Sequence, residues 1–88
     1  MMGGLDFRGI TMVDAFVLIQ AEVGMAGPVA RALGEIPGLL STDVVTGPYD
    51  VIARAEAANI DALGRLIVAT VQSVEGVART LTCPVVRL

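Results

Sequence analysis

Tyr49 and Asp50 lie in the tetrapeptide Gly47-Pro48-Tyr49-Asp50, which separates the apolar runs Val44-Val45 and Val51-Ile52-Ala53. The break concentrates most of the chain's site-grade chemistry, because one Tyr and two Phe are its only aromatics and it has neither His nor Trp. Pro48 presets φ for the second position of a β-turn and Gly47 relieves backbone crowding, so the spacing predicts a hairpin tip. A free amino acid carries an ammonium group, which pairs with a carboxylate, and a carboxylate, which accepts from backbone N–H groups at a glycine-containing turn. Asp50 and the turn amides offer both partners. A plain turn explains the same four residues.

Thr80 and Thr82 stand two apart, so on a strand both project to one face with Leu81 opposite. Ordinary β-propensity accounts for them as well as a ligand does. Gly76 reads as a helix C-cap. The lone Cys83 excludes an intrachain disulfide and has no His to activate it, so it reads as a small buried hydrophobe in a reducing compartment. Asp43, Asp50 and Glu56 are the remaining acids or bases, spread over the hairpin as a solvated rim. No catalytic set, metal site or cofactor is expected: with no His and one Cys, a transition metal lacks its usual ligands.

The composition says where these residues must be held. A chain of 88 residues makes one small domain, which buries about 60 to 65 per cent of its unfolded surface. Yet 55% of the residues are hydrophobic, only 17% are charged, and the mean hydropathy is +0.76. That is more apolar side chain than one such core hides. No apolar run approaches the roughly 18 to 20 residues that span a bilayer. Residues 1–11 carry Asp6 and Arg8 and no apolar stretch of the export-signal kind, so the chain reads as cytoplasmic. The surplus therefore predicts a homo-oligomer with a broad apolar interface. Six Arg stand singly against nine acidic residues, for a net charge of −3 and a pI near 4.6, so direct nucleic-acid binding is disfavoured.

Residues 1–13 are Gly-rich and aperiodic and are expected to form a flexible arm. Residues 14–23 read as a central strand apolar on both faces, with Gln20 and Glu22 as polar exceptions. A short helix is expected from Pro28 at its first position, with Val29, Leu33 and Ile36 inward and an Arg31–Glu35 pair, stopped by Pro37-Gly38. Strands follow at residues 39–46 and 50–56, the latter alternating Val51, Ala53, Ala55 against Ile52, Arg54, Glu56. Asn59 caps a second helix whose stripe runs Ile60, Leu63, Ile67, Val71, Val74, closed by Gly76. Residues 77–88 form a last strand that Pro84 confines to an edge. The order βαββαβ predicts an α+β, ferredoxin-like fold: an antiparallel sheet of strand order 4-1-3-2 with two helices on one face. The bare face, partly apolar, is the expected dimer surface.

From about Asp14 to Leu88 the chain resembles the C-terminal effector-binding (RAM) domain of the Lrp/AsnC, or feast/famine, bacterial transcription regulators. The resemblance rests on Val45-Thr46-Gly47-Pro48-Tyr49-Asp50-Val51, similar to the family's V-T-G-x-Y-D tip, and on Glu75-Gly76-Val77 followed by Thr80-Leu81-Thr82 and Val85-Val86, similar to its final G-V-x-x-T-x-T strand. It implies a domain over residues 14–88 that dimerises through its sheet, assembles further into a ring of four dimers, and binds an amino acid or related effector between neighbouring dimers. Carried over by position, it marks Gly47, Tyr49, Asp50, Gly76, Thr80 and Thr82 as effector-binding residues. Pro48 departs from the polar or acidic residue frequent there and removes one backbone N–H. The family's N-terminal helix-turn-helix has no counterpart in the sequence, which points to a stand-alone effector domain that modifies full-length relatives by mixed assembly. Two other readings are a purely structural oligomerisation module and a small dimeric ferredoxin-like enzyme.

Overall fold

The structure, a computed structural model, describes residues 12–88. Four strands and two helices alternate: β1 Val13–Ala21, α1 Ala26–Leu33, β2 Leu39–Val44, β3 Val51–Ala57, α2 Ile60–Ala69 and β4 Val77–Pro84, with a single 3₁₀ turn at Val71–Ser73. Every pairing is antiparallel and the sheet order is β2-β3-β1-β4, the expected 4-1-3-2. Most of the expected arm lies outside the described residues, and Val13 already belongs to β1.

Alternation decides which side of the sheet is dry. Ala15, Val17 and Ile19 of β1 and Val51, Ala53 and Ala55 of β3 are fully buried and meet Val29 and Leu33 of α1, Leu63 and Ile67 of α2, and Val71. In β1 and β3 these positions are two apart, so they share the helix-covered face.

Several element ends differ from expectation for local reasons. Pro28 is the third residue of α1, not the first; it loses nothing there, since none of the first four N–H groups of a helix has an intrahelical acceptor. The helix stops at Leu33, so Glu35 lies beyond it and the Arg31–Glu35 pair does not form. In α2 the Asn59 side chain accepts from the Ala62 N–H at 2.8 Å, the cap that the sequence announces. The helix ends at Ala69, earlier than Val74; past it the Thr70 hydroxyl donates to the Leu66 carbonyl and the Ser73 hydroxyl to that of Ala69, at 3.2 Å. The 3₁₀ turn then keeps Val71 inside. Strand β4 ends at Pro84, short of Leu88, and is an edge strand.

The helix-free face carries Phe16 and Leu18 of β1, Ile52 of β3, and Leu81 and Cys83 of β4, paired in register as Phe16↔Cys83 and Leu18↔Leu81 on one side and Leu18↔Ile52 on the other. Phe16 is 41% exposed and Leu81 49%. Cys83 is exposed, not buried, because its register sets it on this face. A solvated face of an antiparallel sheet is ordinarily polar, so this apolar row is an unsatisfied surface. At its rim, Asp14 is 7% exposed and accepts from Arg54 and, at 2.7 Å, from Arg87; the Arg54 guanidinium lies 5.3 Å from the centre of the Phe16 ring. The Arg54 hydrogen bond, with help from Arg87, outweighs burial and holds the Asp14 carboxyl below its ordinary pKa.

Candidate effector site

The connection between β2 and β3 spans residues 45–50 and is wider than the expected four-residue turn. Its mouth is closed by the Val45 N–H donating to the Asp50 carbonyl at 2.9 Å, and Gly47, Pro48 and Asp50 are bends rather than parts of a hydrogen-bonded turn. Gly47 adopts φ +140°, a conformation that favours glycine, and an added Cβ there would meet nothing within 4 Å. Tyr49 and Asp50 are half-buried.

The last three residues of β1 anchor this loop, and the residue after them holds the turn before β4. The Ile19 carbonyl accepts from the Asp50 N–H at 2.9 Å, the Gln20 side-chain amide donates to the Pro48 carbonyl at 2.9 Å, and the Ala21 N–H donates to Asp50 Oδ2 at 2.8 Å. The Glu22 N–H donates to the Gly76 carbonyl at 2.7 Å. The loop bearing Gly47, Tyr49 and Asp50 and the turn bearing Gly76 are thus gathered at one end of the sheet, although some thirty residues of chain separate them. One carboxylate oxygen of Asp50, Oδ2, is committed to the backbone of β1, which leaves Oδ1 for any further partner.

Gly76 is not the cap of α2, which ends seven residues earlier. It is buried, with φ +95°, in the turn into β4, and a Cβ there would lie 2.9 Å from Met25 Cε and 3.0 Å from Met25 Cβ and Val29 Cγ2. Glycine is needed there both for the backbone and for the packing of α1. Just beyond it the pairing of β1 with β4 slips: Gln20 faces Arg79 and Ala21 faces Val77, which leaves Ala78 without a counterpart. Such a bulge bends an edge strand and re-aims its side chains.

Thr80 and Thr82 do share a face, opposite Ile19 and Val17, and that face is the helix-covered one. Thr80 Oγ1 accepts from the Gln72 side-chain amide at 3.0 Å. Two open clefts flank this row. One of about 410 Å³ is lined by Gln72, Val77, Ala78, Arg79 and Thr80. The other, about 320 Å³, is mostly apolar and runs along α2 between Ile60, Leu63, Ile67 and Val68, with Thr82 and Pro84 across it. The structure therefore brings Thr80 and Thr82 to a shallow surface beside α2, one strand over from the anchored loop. Gln72 and Arg79 join the candidate site by position alone. Gln72 interrupts no motif, and its reach to Thr80 exists only once β4 has returned past the 3₁₀ turn.

The sequence profile of the Lrp/AsnC ligand-binding domain family matches residues 14–88. The chain belongs to the Lrp/AsnC family. An uncharacterised HTH-type transcriptional regulator of Pyrococcus furiosus is 31% identical over 71 residues, which cover 77% of this chain and 47% of that protein. The chain spans about half the length of such curated relatives. Among solved structures, the protein TTHA0845 of Thermus thermophilus superposes with a TM-score of 0.81 at 32% identity, covering 86% of this chain and 95% of that one. The transcriptional regulator of Neisseria meningitidis solved as an L-Met complex shares the fold at 22% identity, with a TM-score of 0.76 over 85% of this chain and 50% of its own. This Lrp/AsnC domain is thus a ligand-binding module of a regulator family, and no helix among its described residues is long and apolar enough to cross a membrane.

Proposed function

We propose that this Lrp/AsnC domain is a non-enzymatic regulatory module of the cytoplasm that binds an amino acid at a site shared between subunits. Residues 45–50 supply Oδ1 of Asp50 for the ammonium group and the amides around Gly47 for the carboxylate, Tyr49 packs beside them, and the Gly76 turn with Thr80 and Thr82 forms the other wall. The observation that carries this reading is the anchoring of the loop and the Gly76 turn to one short stretch of β1, which makes two distant motifs a single rim. The clefts beside β4 are open, which supports a site that a neighbouring subunit completes. The L-Met complex of the Neisseria relative supports an amino acid as the ligand class.

Copies pair through the apolar sheet face to give a homodimer, and dimers assemble further, as a ring of four. The route we propose to an operator is mixed assembly with full-length, DNA-binding relatives, with effector occupancy biasing the subunit contact. Isothermal titration with each of the twenty L-amino acids tests the binding. The expected outcome is saturable heat from at least one, weakened by Thr80→Val and by Asp50→Asn, a change that keeps an acceptor for the Ala21 N–H but removes the charge. Silence from all twenty sinks the proposal.

A further inference from the structure

We infer that Gln20 is a positioning residue for effector binding, acting through the backbone of the 45–50 loop rather than by touching the ligand. The inference rests on the proposed amino-acid site. The loop has few internal ties: its closing bond joins Val45 to Asp50, its middle is bends, and Pro48 has no N–H to contribute. Asp50 is fixed twice, by its own N–H to the Ile19 carbonyl and by Oδ2 on the Ala21 N–H. Those bonds hold the end of the loop and leave the Pro48–Tyr49 peptide, whose Tyr49 N–H would face a carboxylate, without a tie of their making. The Gln20 amide, 2.9 Å from the Pro48 carbonyl, is the tie that reaches this part.

Its location makes that contact possible. Gln20 stands at the register slip between β1 and β4, opposite Arg79 and one residue before the Ala21 N–H that binds Asp50. A donor is required, since the acceptor is a carbonyl oxygen; a carboxylate of the same shape cannot replace the amide at neutral pH.

The test compares Gln20→Leu, which keeps the bulk, Gln20→Glu, which keeps the shape, and Gln20→Lys, which keeps a donor on an unbranched chain. Each is titrated by calorimetry with the twenty L-amino acids, beside thermal melts and backbone amide exchange of Thr46, Gly47 and Tyr49 in the free protein. The expected result is a two- to tenfold rise in Kd for the Leu and Glu variants, about the worth of one hydrogen bond, with the melting midpoint close to that of the parent and faster loop exchange. Gln20→Lys restores both affinity and exchange protection. Parent-like affinity in Gln20→Leu overturns the inference, as does a Lys variant no better than Leu. If the parent binds none of the twenty, the effector reading itself fails, a result distinct from a binding parent with indifferent variants.

Discussion

Replacing Gly76 by Ala tests the packing at the centre of the candidate site. The residue has φ +95°, where an L side chain is strained by about 1–2 kcal/mol. The new methyl would lie 2.9 Å from Met25 Cε and 3.0 Å from Met25 Cβ and Val29 Cγ2. The Met25 terminus can swing aside, but Met25 Cβ is fixed to the backbone and Val29 is fully buried, so overpacking adds about 1–3 kcal/mol. The sum is about 2–5 kcal/mol. At about 4–8 °C per kcal/mol for a domain this small, the midpoint of a far-UV circular dichroism melt should fall by about 10 °C or more. Two glycines serve as internal controls. Gly47→Ala at φ +140° meets open space, so only the backbone term remains, about 1–2 kcal/mol. Gly64→Ala, inside α2 and also facing open space, should stabilise by about 0.5–1 kcal/mol, reversing the sign. A Gly76→Ala protein that melts within the error of the parent, or a series out of this order, would refute the reasoning.

Asn59→Ala removes the cap on the Ala62 N–H and should cost about 1 kcal/mol, read as a fall in the urea midpoint without change of slope. The folded pKa of Asp14 lies below its ordinary value of 3.8, so its contribution to stability is complete above that value and is lost as pH falls through the folded one; Asp14→Asn should flatten the acid limb of a stability–pH profile. Leu81→Asp, on the exposed apolar face, should turn a sedimenting dimer into a folded monomer; an unchanged dimer would move the interface elsewhere. Asp50→Ala should melt lower than Asp50→Asn, since only the latter retains an acceptor for the Ala21 N–H.

The fold was legible because two periodicities alternate cleanly along the chain. Val51, Ala53 and Ala55 against Ile52, Arg54 and Glu56 announce a strand with one dry face, and Leu63, Ile67 and Val71 announce the helix stripe that covers it. Pro84 placed the last strand at an edge. Element ends were less legible: past Ala69 the chain turns into a 3₁₀ turn with the Thr70 and Ser73 hydroxyls on backbone carbonyls, local bonding that no periodicity encodes. The candidate site was visible as motifs but not as geometry. Asp50 reads as a free carboxylate in the sequence, whereas folding commits one of its oxygens to β1. Gly76 reads as a helix cap, whereas its neighbours are Met25 and Val29, some fifty residues earlier. Cys83 reads as core because cysteines usually are, and only the register with Phe16 shows that it faces outward.

Amide chemical-shift mapping of the isotope-labelled protein during titration with each of the twenty L-amino acids tests the central claim most directly. The account predicts that at least one saturates, with the largest shifts at Gly47, Tyr49, Asp50, Gly76, Thr80 and Thr82 and a smaller set along residues 19–22, at the end of β1 and just past it. Shifts confined to the outer face of α1, or none from any of the twenty, would contradict it.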